Sequence, residues 1–283
     1  MSLVLEPLAA KQAQAEAIIA SLGSVAVAYS GGADSALVSA LAHRALGPGA
    51  VAVIDASPSL PADELRDARA VAASIGIELV EIATDELADE RYASNPADRC
   101  YFCKDALFTA LERFLRERGF AAIVDGYNAD DAAEVLHGRR AAAERAVRSP
   151  LYEAGLSKAE VRALSRTLGL PTADKPAAAC LASRFPTGMR VTAAGLRQVE
   201  LAERAIKALG IRELRVRHHG ETARIEVAAA EIPIVLEHRE TIARELRALG
   251  FRYVTLDLEG YRRGSTAAPQ PLHLDHLDGI AVE

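Results

Sequence analysis

Long apolar runs and a surplus of basic residues are both missing from this sequence. No stretch approaches the roughly 20 consecutive apolar residues that a membrane-spanning helix needs. The first twenty residues carry no basic start followed by an apolar signal core. The formal net charge is −6, which gives no general attraction to nucleic acid or to an anionic membrane surface. We therefore expect a cytoplasmic protein with no nucleic acid and no membrane among its partners.

Cysteine is scarce as well. The three cysteines, an odd number in a chain without a recognisable signal, argue against a disulfide framework and leave metal binding or thiol chemistry.

The 283 residues, 50% of them hydrophobic, are enough for roughly two domains with a substantial core.

A glycine-containing turn is the most informative motif that is present. Ser30-Gly31-Gly32-Ala33-Asp34-Ser35 follows the apolar run 25–29 and precedes a helical pattern from Ala36. A strand that passes through two glycines into a helix forms an anion site, because the amides of the helix N-terminus point at the ligand. The turn lacks the Gly-Lys-Ser/Thr ending of ordinary P-loops and the third glycine of the dinucleotide fingerprint. The alternative is a tight strand-to-helix turn with a serine cap.

Strand and helix patterns alternate in the first part of the chain. This predicts an α/β fold with a doubly wound parallel sheet, whose ligands bind at the carboxyl ends of the strands. Asp55 ends one of these strands and Asn128 follows another, and both are candidate nucleotide contacts, although Asn128, Asp130 and Asp131 also suit a turn. The predicted strands are 25–29, 51–55, 77–82 and 121–126, and the predicted helices are 36–46, 61–74, 98–118 and 157–168.

The later part of the chain has a different pattern. Helices at 194–209 and 234–249 and strands at 214–217, 224–227 and 253–256 predict a smaller C-terminal α+β domain. We therefore expect domains at 1–190 and 191–265, followed by a mobile tail at 266–283.

The cysteines form a candidate metal site. Cys100 and Cys103 are spaced i and i+3, which makes them neighbours on one face of a helix. Cys180 lies in an irregular segment, 172–187, which could bring its thiol to the same sheet edge. Three thiolates suit zinc or an iron-sulfur cluster, and in a 4Fe-4S cluster they would leave one iron open. A buried hydrophobic cysteine, a redox dithiol and half a zinc site remain alternatives.

Taken together, these motifs resemble the LarE-type ATP-dependent sulfur transferases, which belong to the PP-loop ATP pyrophosphatases. The resemblance covers roughly residues 10–265. Its segments are SGGADS (30–35), NPADRCYFCK (95–104), DGYNADD (125–131), the run 148–188, RVRHHGETARIEV (215–227) and GYRRGS (260–265), and KPAAACLASR (175–184) is the most specific part.

The resemblance implies a reaction and its cofactors. The family adenylates a carboxylate of pyridinium-3,5-biscarboxylic acid mononucleotide with ATP and then installs sulfur, a step toward the nickel-pincer nucleotide. Some members sacrifice the sulfur of a cysteine at the position of Cys180. Members with three cysteines are thought to hold a 4Fe-4S cluster, which here implies Cys100, Cys103 and Cys180 as its ligands. The family also implies a homo-oligomer.

Roles for individual residues follow from that chemistry. The backbone around Ser30, Gly31, Gly32 and Ser35 would hold the pyrophosphate, and Asp34 would orient it or its Mg²⁺. Lys104 or Arg184 would favour the Cys180 thiolate.

The substrate carries a phosphate, which needs a fork of donors. Arg215 and Arg217 alternate along a strand and project from one face, and with Ser183 and Arg184 they are the candidates, unless they form a solvated arginine face. Tyr101 could stack on the pyridinium ring or be a buried aromatic. Glu203 is a further candidate for a substrate contact on a charged helix face.

Three rival functions stay open at this point. A tRNA thiolation enzyme shares the ATP turn and the cysteines but needs a basic platform. An ammonia-dependent amide ligase needs no thiols, and a nucleotide-binding regulator of the universal stress type would not cleave ATP. We expect a small-molecule nucleotide as the substrate.

Overall fold

The computed structural model describes residues 5–133, 137–176 and 179–262. The chain divides into two compact units, Met1–Ala182 with Val191–Arg197, and Ser183–Arg190 with Gln198–Glu283. The predicted tail at 266–283 lies outside the described residues. None of the described helices is both long and apolar enough to cross a bilayer.

The first unit contains a four-stranded sheet with the order β3-β2-β1-β4, in which every pairing is parallel. The predicted α/β fold with a parallel sheet is thus confirmed. The strands are β1 (Val25–Ala28), β2 (Ala50–Asp55), β3 (Glu78–Ile82) and β4 (Ala122–Val124). The helices of this unit are α1 (Leu5–Ser21), α2 (Ala33–Leu46), α3 (Ala62–Ile75), α4 (Glu90–Ala93), α5 (Arg99–Arg118), α6 (His137–Glu144), α7 (Pro150–Glu153) and α8 (Lys158–Thr167).

Strand β1, one of the two inner strands, is covered on both faces, which explains why its sequence is apolar without interruption. Val25 and Val27 belong to a core cluster that includes Leu37 and Leu41 of α2. Ala26 and Ala28 belong to a second cluster on the other face, with Phe108, Leu111 and Phe114 of α5. Because side chains alternate between the faces of a strand, a strand covered on both sides has to be apolar at every position.

The second unit contains a three-stranded sheet with the order β5-β6-β7. Strands β5 (Leu214–His219) and β6 (Thr222–Val227) are antiparallel, and β7 (Tyr253–Leu256) runs parallel to β6. Its helices are α10 (Ile232–Glu237) and α11 (Arg239–Ala248), and α9 (Ala193–Lys207) begins in residues of the first unit.

One predicted helix differs from the structure. The pattern at 234–249 predicts a single helix, but the chain forms α10 and α11, which are separated at His238. The backbone of His238, at φ −95° and ψ 13°, leaves the α-helical region, and Pro233 lies in the first turn of α10.

Candidate active site

The turn after β1 has the geometry that its glycines require. Gly31 has φ +71°, a conformation that L side chains rarely adopt, and a Cβ there would lie 2.7 Å from the Cβ of Ala68. The hydroxyl of Ser35 accepts a hydrogen bond from the Ser30 amide at 3.1 Å and donates one to the Gly32 carbonyl at 3.2 Å. Hydrogen bonds within the motif thus stabilise the turn, and α2 begins inside it at Ala33, with its N-terminus at the carboxyl edge of the sheet.

Gly126, which follows β4, packs directly against this helix N-terminus. A Cβ on Gly126 would lie 2.7 Å from the Ser35 nitrogen and 3.0 Å from the Asp34 carbonyl carbon. Only a glycine allows the backbone after β4 to approach the turn this closely. The sequence motif contained Gly126, but its role depends on a contact with a distant part of the chain.

The Asp34 carboxylate has polar partners from two distant segments. The ammonium of Lys158 forms an ion pair with one carboxylate oxygen, and the Asn128 amide donates to the other at 3.3 Å. Asn128 is buried, and its side-chain oxygen accepts from the backbone amides of Asp130 and Asp131. The structure thus brings the predicted residues Asp34 and Asn128 together, while the two aspartates interact as turn residues.

Two lysines near the turn were not predicted. Lys158 is the first residue of α8, where the helix dipole favours acidic residues, so its position was a signal in the sequence for an anion nearby. Lys175 donates to the Gly31 carbonyl at 3.3 Å and pairs with Glu64 at 2.7 Å.

Asp55, a predicted nucleotide contact, forms hydrogen bonds with Thr84. Its two carboxylate oxygens accept from the amide and the hydroxyl of Thr84, at 3.0 and 2.7 Å. Its role in binding a nucleotide stays a prediction.

A cavity of about 400 Å³ opens at the turn. Ser30, Asp34 and Ser35 line one part of it, and Cys100 and Lys104 of α5 line another. Arg139 of α6 also lines this cavity, with its guanidinium 4.4 Å from the ring centroid of Tyr127. The turn at 30–35, a thiol and cationic side chains therefore share one cavity.

Tyr101 faces α6. Its hydroxyl donates to Glu144 at 2.6 Å, and the guanidinium of Arg140 lies 3.8 Å from its ring centroid. The ring is therefore already in contact with a cation, and a role in stacking on a substrate stays a prediction.

The thiols of Cys100 and Cys180 are exposed, whereas Cys103 is half-buried. The Cys103 thiol donates to the Glu86 carboxylate at 3.7 Å. Glu86 is buried and also accepts from the hydroxyls of Ser57 and Ser59. Burial, and next the charge of Glu86, raise the pKa of the Cys103 thiol. Nothing in the sequence pattern indicated this buried carboxylate.

Arg99 connects Cys180 to the helix of the other two cysteines. One guanidinium nitrogen lies 3.9 Å from the Cys180 sulfur, and the side chain also hydrogen-bonds to Cys100. Burial lowers the pKa of Arg99, but the nearby Cys180, Cys100 and Tyr92 together raise it by more. Among the residues that the structure describes, no three His, Cys, Asp or Glu side chains are grouped closely enough to hold a metal ion.

The predicted phosphate-binding arginines lie in the second unit. Arg184 forms a bidentate ion pair with Glu203, at 2.8 and 2.9 Å, and both side chains are buried. Arg217 is buried against Glu226 at 2.8 Å and also donates to the Ser183 carbonyl. Two of the candidate arginines, and the candidate Glu203, therefore take part in buried ion pairs.

Arg215 has a different environment. Its guanidinium donates to the Leu214 carbonyl at 2.7 Å and lies 5.0 Å from the Tyr261 ring centroid. Burial, and next the charge of Arg184, lower the pKa of Arg215. A cation held near another cation is suited to bind an anion, because an anion would relieve their repulsion.

The sequence is similar to three curated proteins. It is 38% identical over 258 residues to the pyridinium-3,5-bisthiocarboxylic acid mononucleotide synthase of Lactiplantibacillus plantarum, which covers 91% of this chain and 94% of that protein. It is 44% identical over 240 residues to an uncharacterized protein of Synechocystis sp., covering 84% and 90%. An uncharacterized protein of Methanocaldococcus jannaschii is 26% identical over 238 residues, covering 84% and 90%. The profile of the NAD synthase family matches residues 15–100.

Proposed function

Since the chain belongs to the LarE-type ATP-dependent sulfur transferases of the PP-loop superfamily, we propose that it converts a carboxylate of pyridinium-3,5-biscarboxylic acid mononucleotide to a thiocarboxylate. The observation that carries the proposal is the single cavity lined by Ser30, Asp34 and Ser35 together with Cys100 and Lys104. Such a cavity can hold an activated phosphate next to a sulfur.

Adenylation is the first step of the proposed reaction. A carboxylate oxygen of the substrate attacks the α-phosphorus of ATP, and pyrophosphate leaves. The amides at the start of α2, around Gly31, Gly32 and Ser35, would hold the pyrophosphate. Asp34 offers carboxylate oxygens, the donors that Mg²⁺ prefers. Lys158, now paired with Asp34, supplies a cation for the phosphates.

We expect Arg215, with Arg184 and Arg217, to bind the phosphate of the mononucleotide. The support is that Arg184 and Arg217 already have carboxylate partners, so that Arg215 contributes the positive charge that a phosphate would neutralise.

Sulfur enters in the second step. A sulfur nucleophile attacks the carbonyl carbon of the acyl adenylate, and AMP leaves. In one route the nucleophile is the Cys180 thiolate, and loss of the Cα proton with cleavage of the Cβ–S bond leaves dehydroalanine at position 180.

The other route uses a 4Fe-4S cluster. Cys100, Cys103 and Cys180 match such a cluster in donor chemistry, since thiolates are its usual ligands. Arg99 contacts both Cys100 and Cys180. In the described part of the structure the three thiols are not grouped closely enough to hold a metal ion, so they would have to approach one another to bind the cluster. When bound by three thiolates, the cluster supplies an open iron that can carry an additional sulfide. We propose this route because the chain has all three cysteines.

Anaerobic purification followed by iron and sulfide quantitation tests the proposal and its two routes. The protein is then incubated with Mg·ATP and the dicarboxylate mononucleotide, and product and protein masses are measured. A thiocarboxylate product with about four irons per chain and an unchanged protein mass supports the cluster route. A protein that loses one sulfur at Cys180 supports the sacrificial route. Pyrophosphate release without any sulfur in the product contradicts the proposed function.

A further inference from the structure

Cys180 is distant in sequence from Cys100 and Cys103, so some contact has to hold its segment beside α5. Two hydrogen bonds hold the two residues that directly follow Cys180. The Leu181 amide donates to the Ser59 carbonyl at 2.8 Å, and the Ala182 carbonyl accepts from Arg99 at 2.8 Å. The second bond comes from the residue that directly precedes Cys100.

Arg99 is itself fixed in place. The nitrogen that reaches Ala182 also donates to the Asn95 side-chain oxygen at 2.6 Å. Asn95 is buried and has φ +58°, a left-handed conformation that is rare outside glycine and that Asn tolerates better than most residues. This conformation costs free energy, so its persistence indicates that the surrounding contacts hold the Asn95 side chain in place.

The location of Arg99 is not explained by helix stability. It is in the first turn of α5, where a cation is opposed by the helix dipole. The two terminal nitrogens of its guanidinium have different partners. One donates to the backbone carbonyl of Ala182, and the other faces the Cys180 sulfur.

We infer that Arg99 is a positioning residue for sulfur transfer, which orients the Cys180 sulfur. It holds the backbone of the segment that contains Cys180 and contacts the sulfur itself. The inference rests on the proposed function, since it assigns Arg99 to the sulfur step. The hydrogen bonds described for Ser30, Asp34 and Ser35 do not involve Arg99, so we expect the adenylation step to be independent of it. Removing the guanidinium separates the two steps.

The experiment compares Arg99→Gln and Arg99→Lys with the wild type and with Arg91→Gln. Arg91 is an exposed arginine nearby that pairs with Asp89, so the control removes a guanidinium of the same region without touching a cysteine. Pyrophosphate release, thiocarboxylate formation and hydrogen exchange of the peptide 179–185 are measured for each protein.

For Arg99→Gln we expect thiocarboxylate formation to fall about 10-fold or more, because the Cys180 sulfur, as a cluster ligand or as the donor itself, is no longer held in position. Pyrophosphate release should stay within about 2-fold of the wild type. Exchange in the peptide 179–185 should become faster. A lysine can reach one of the two targets, so Arg99→Lys should restore part of the rate, and Arg91→Gln should resemble the wild type.

Equal loss of both steps in Arg99→Gln would overturn the inference, since it would indicate a general structural role. Unchanged exchange and unchanged sulfur transfer would overturn it as well. If the wild type forms no thiocarboxylate, the proposed function fails, and the exchange comparison still decides whether Arg99 holds the segment.

Discussion

Substitution of Gly126 by alanine is the sharpest test of how the phosphate turn is built. The added Cβ would lie 2.7 Å from the Ser35 nitrogen, whereas ordinary contact begins at 3.4 Å. Both neighbours in the clash are backbone atoms of the turn, so no flexible side chain can move aside. The start of α2 therefore has to retreat by about 0.7 Å, or the segment after β4 has to move by as much.

The expected magnitude follows from that displacement. Overpacking destabilises the folded protein by about 1–3 kcal/mol. Alanine has less conformational entropy than glycine in the unfolded chain, which stabilises the folded protein by about 0.4–1 kcal/mol. We expect a net loss of about 1–2 kcal/mol in the free energy of unfolding. Because a misplacement near 1 Å can cost about 100-fold in rate, kcat/KM for ATP in pyrophosphate release should fall about 10- to 100-fold.

The assay is pyrophosphate release with Mg·ATP and the dicarboxylate mononucleotide, together with urea unfolding. Gly49→Ala is the matched control, because its Cβ would lie 3.2 Å from the backbone oxygen of Gly23, beside the start of β2 and at the opposite edge of the sheet. It should lower stability without lowering the rate in the folded protein. Undiminished pyrophosphate release by Gly126→Ala, with unchanged stability, would refute the reasoning about this close approach.

Three further predictions concern charges. Lys158→Met should raise the KM for ATP about 10-fold by removing a cation beside Asp34, whereas Lys11→Met, which breaks another lysine–carboxylate pair on α8, should not. An equal effect of both would contradict a role for Lys158 at the phosphates. Glu203→Gln should destabilise the protein to urea by about 3 kcal/mol or more, since it leaves a buried guanidinium without its carboxylate. Unchanged stability with a raised KM for the mononucleotide would instead make Glu203 a substrate contact. Burial lowers the pKa of His218 below its usual 6.5, so the unfolded chain binds more protons. The melting temperature should fall as the pH drops below about 6.5, and His218→Phe should reduce this dependence; a dependence that is the same in both proteins would refute it.

The parts of the fold that depend on local patterns were predictable. The turn at 30–35 and its flanking strand and helix follow from glycine conformation and apolar runs, which are encoded within a few residues. The alternation at Arg215 and Arg217 likewise predicted a strand, which is part of β5.

Residues whose roles depend on distant partners were not predictable. Lys158 meets Asp34 across 124 positions, and Arg99 meets Cys180 across 81. The alternation of the arginines gave no sign that Glu226, on the next strand, neutralises Arg217. Ion pairs between segments depend on the packing of the sheet and its helices, for which a single sequence has no periodic signal.

The most direct measurement of the central claim follows the oxygen that leaves the substrate. The dicarboxylate mononucleotide is prepared with heavy oxygen in its carboxylates and incubated anaerobically with the protein and Mg·ATP, and the masses of AMP and of the pyridinium product are determined. If the carboxylate is adenylated and then receives sulfur, one heavy oxygen appears in AMP and the product contains sulfur in its place. Unlabelled AMP, or a product that keeps all its oxygen, would contradict the account.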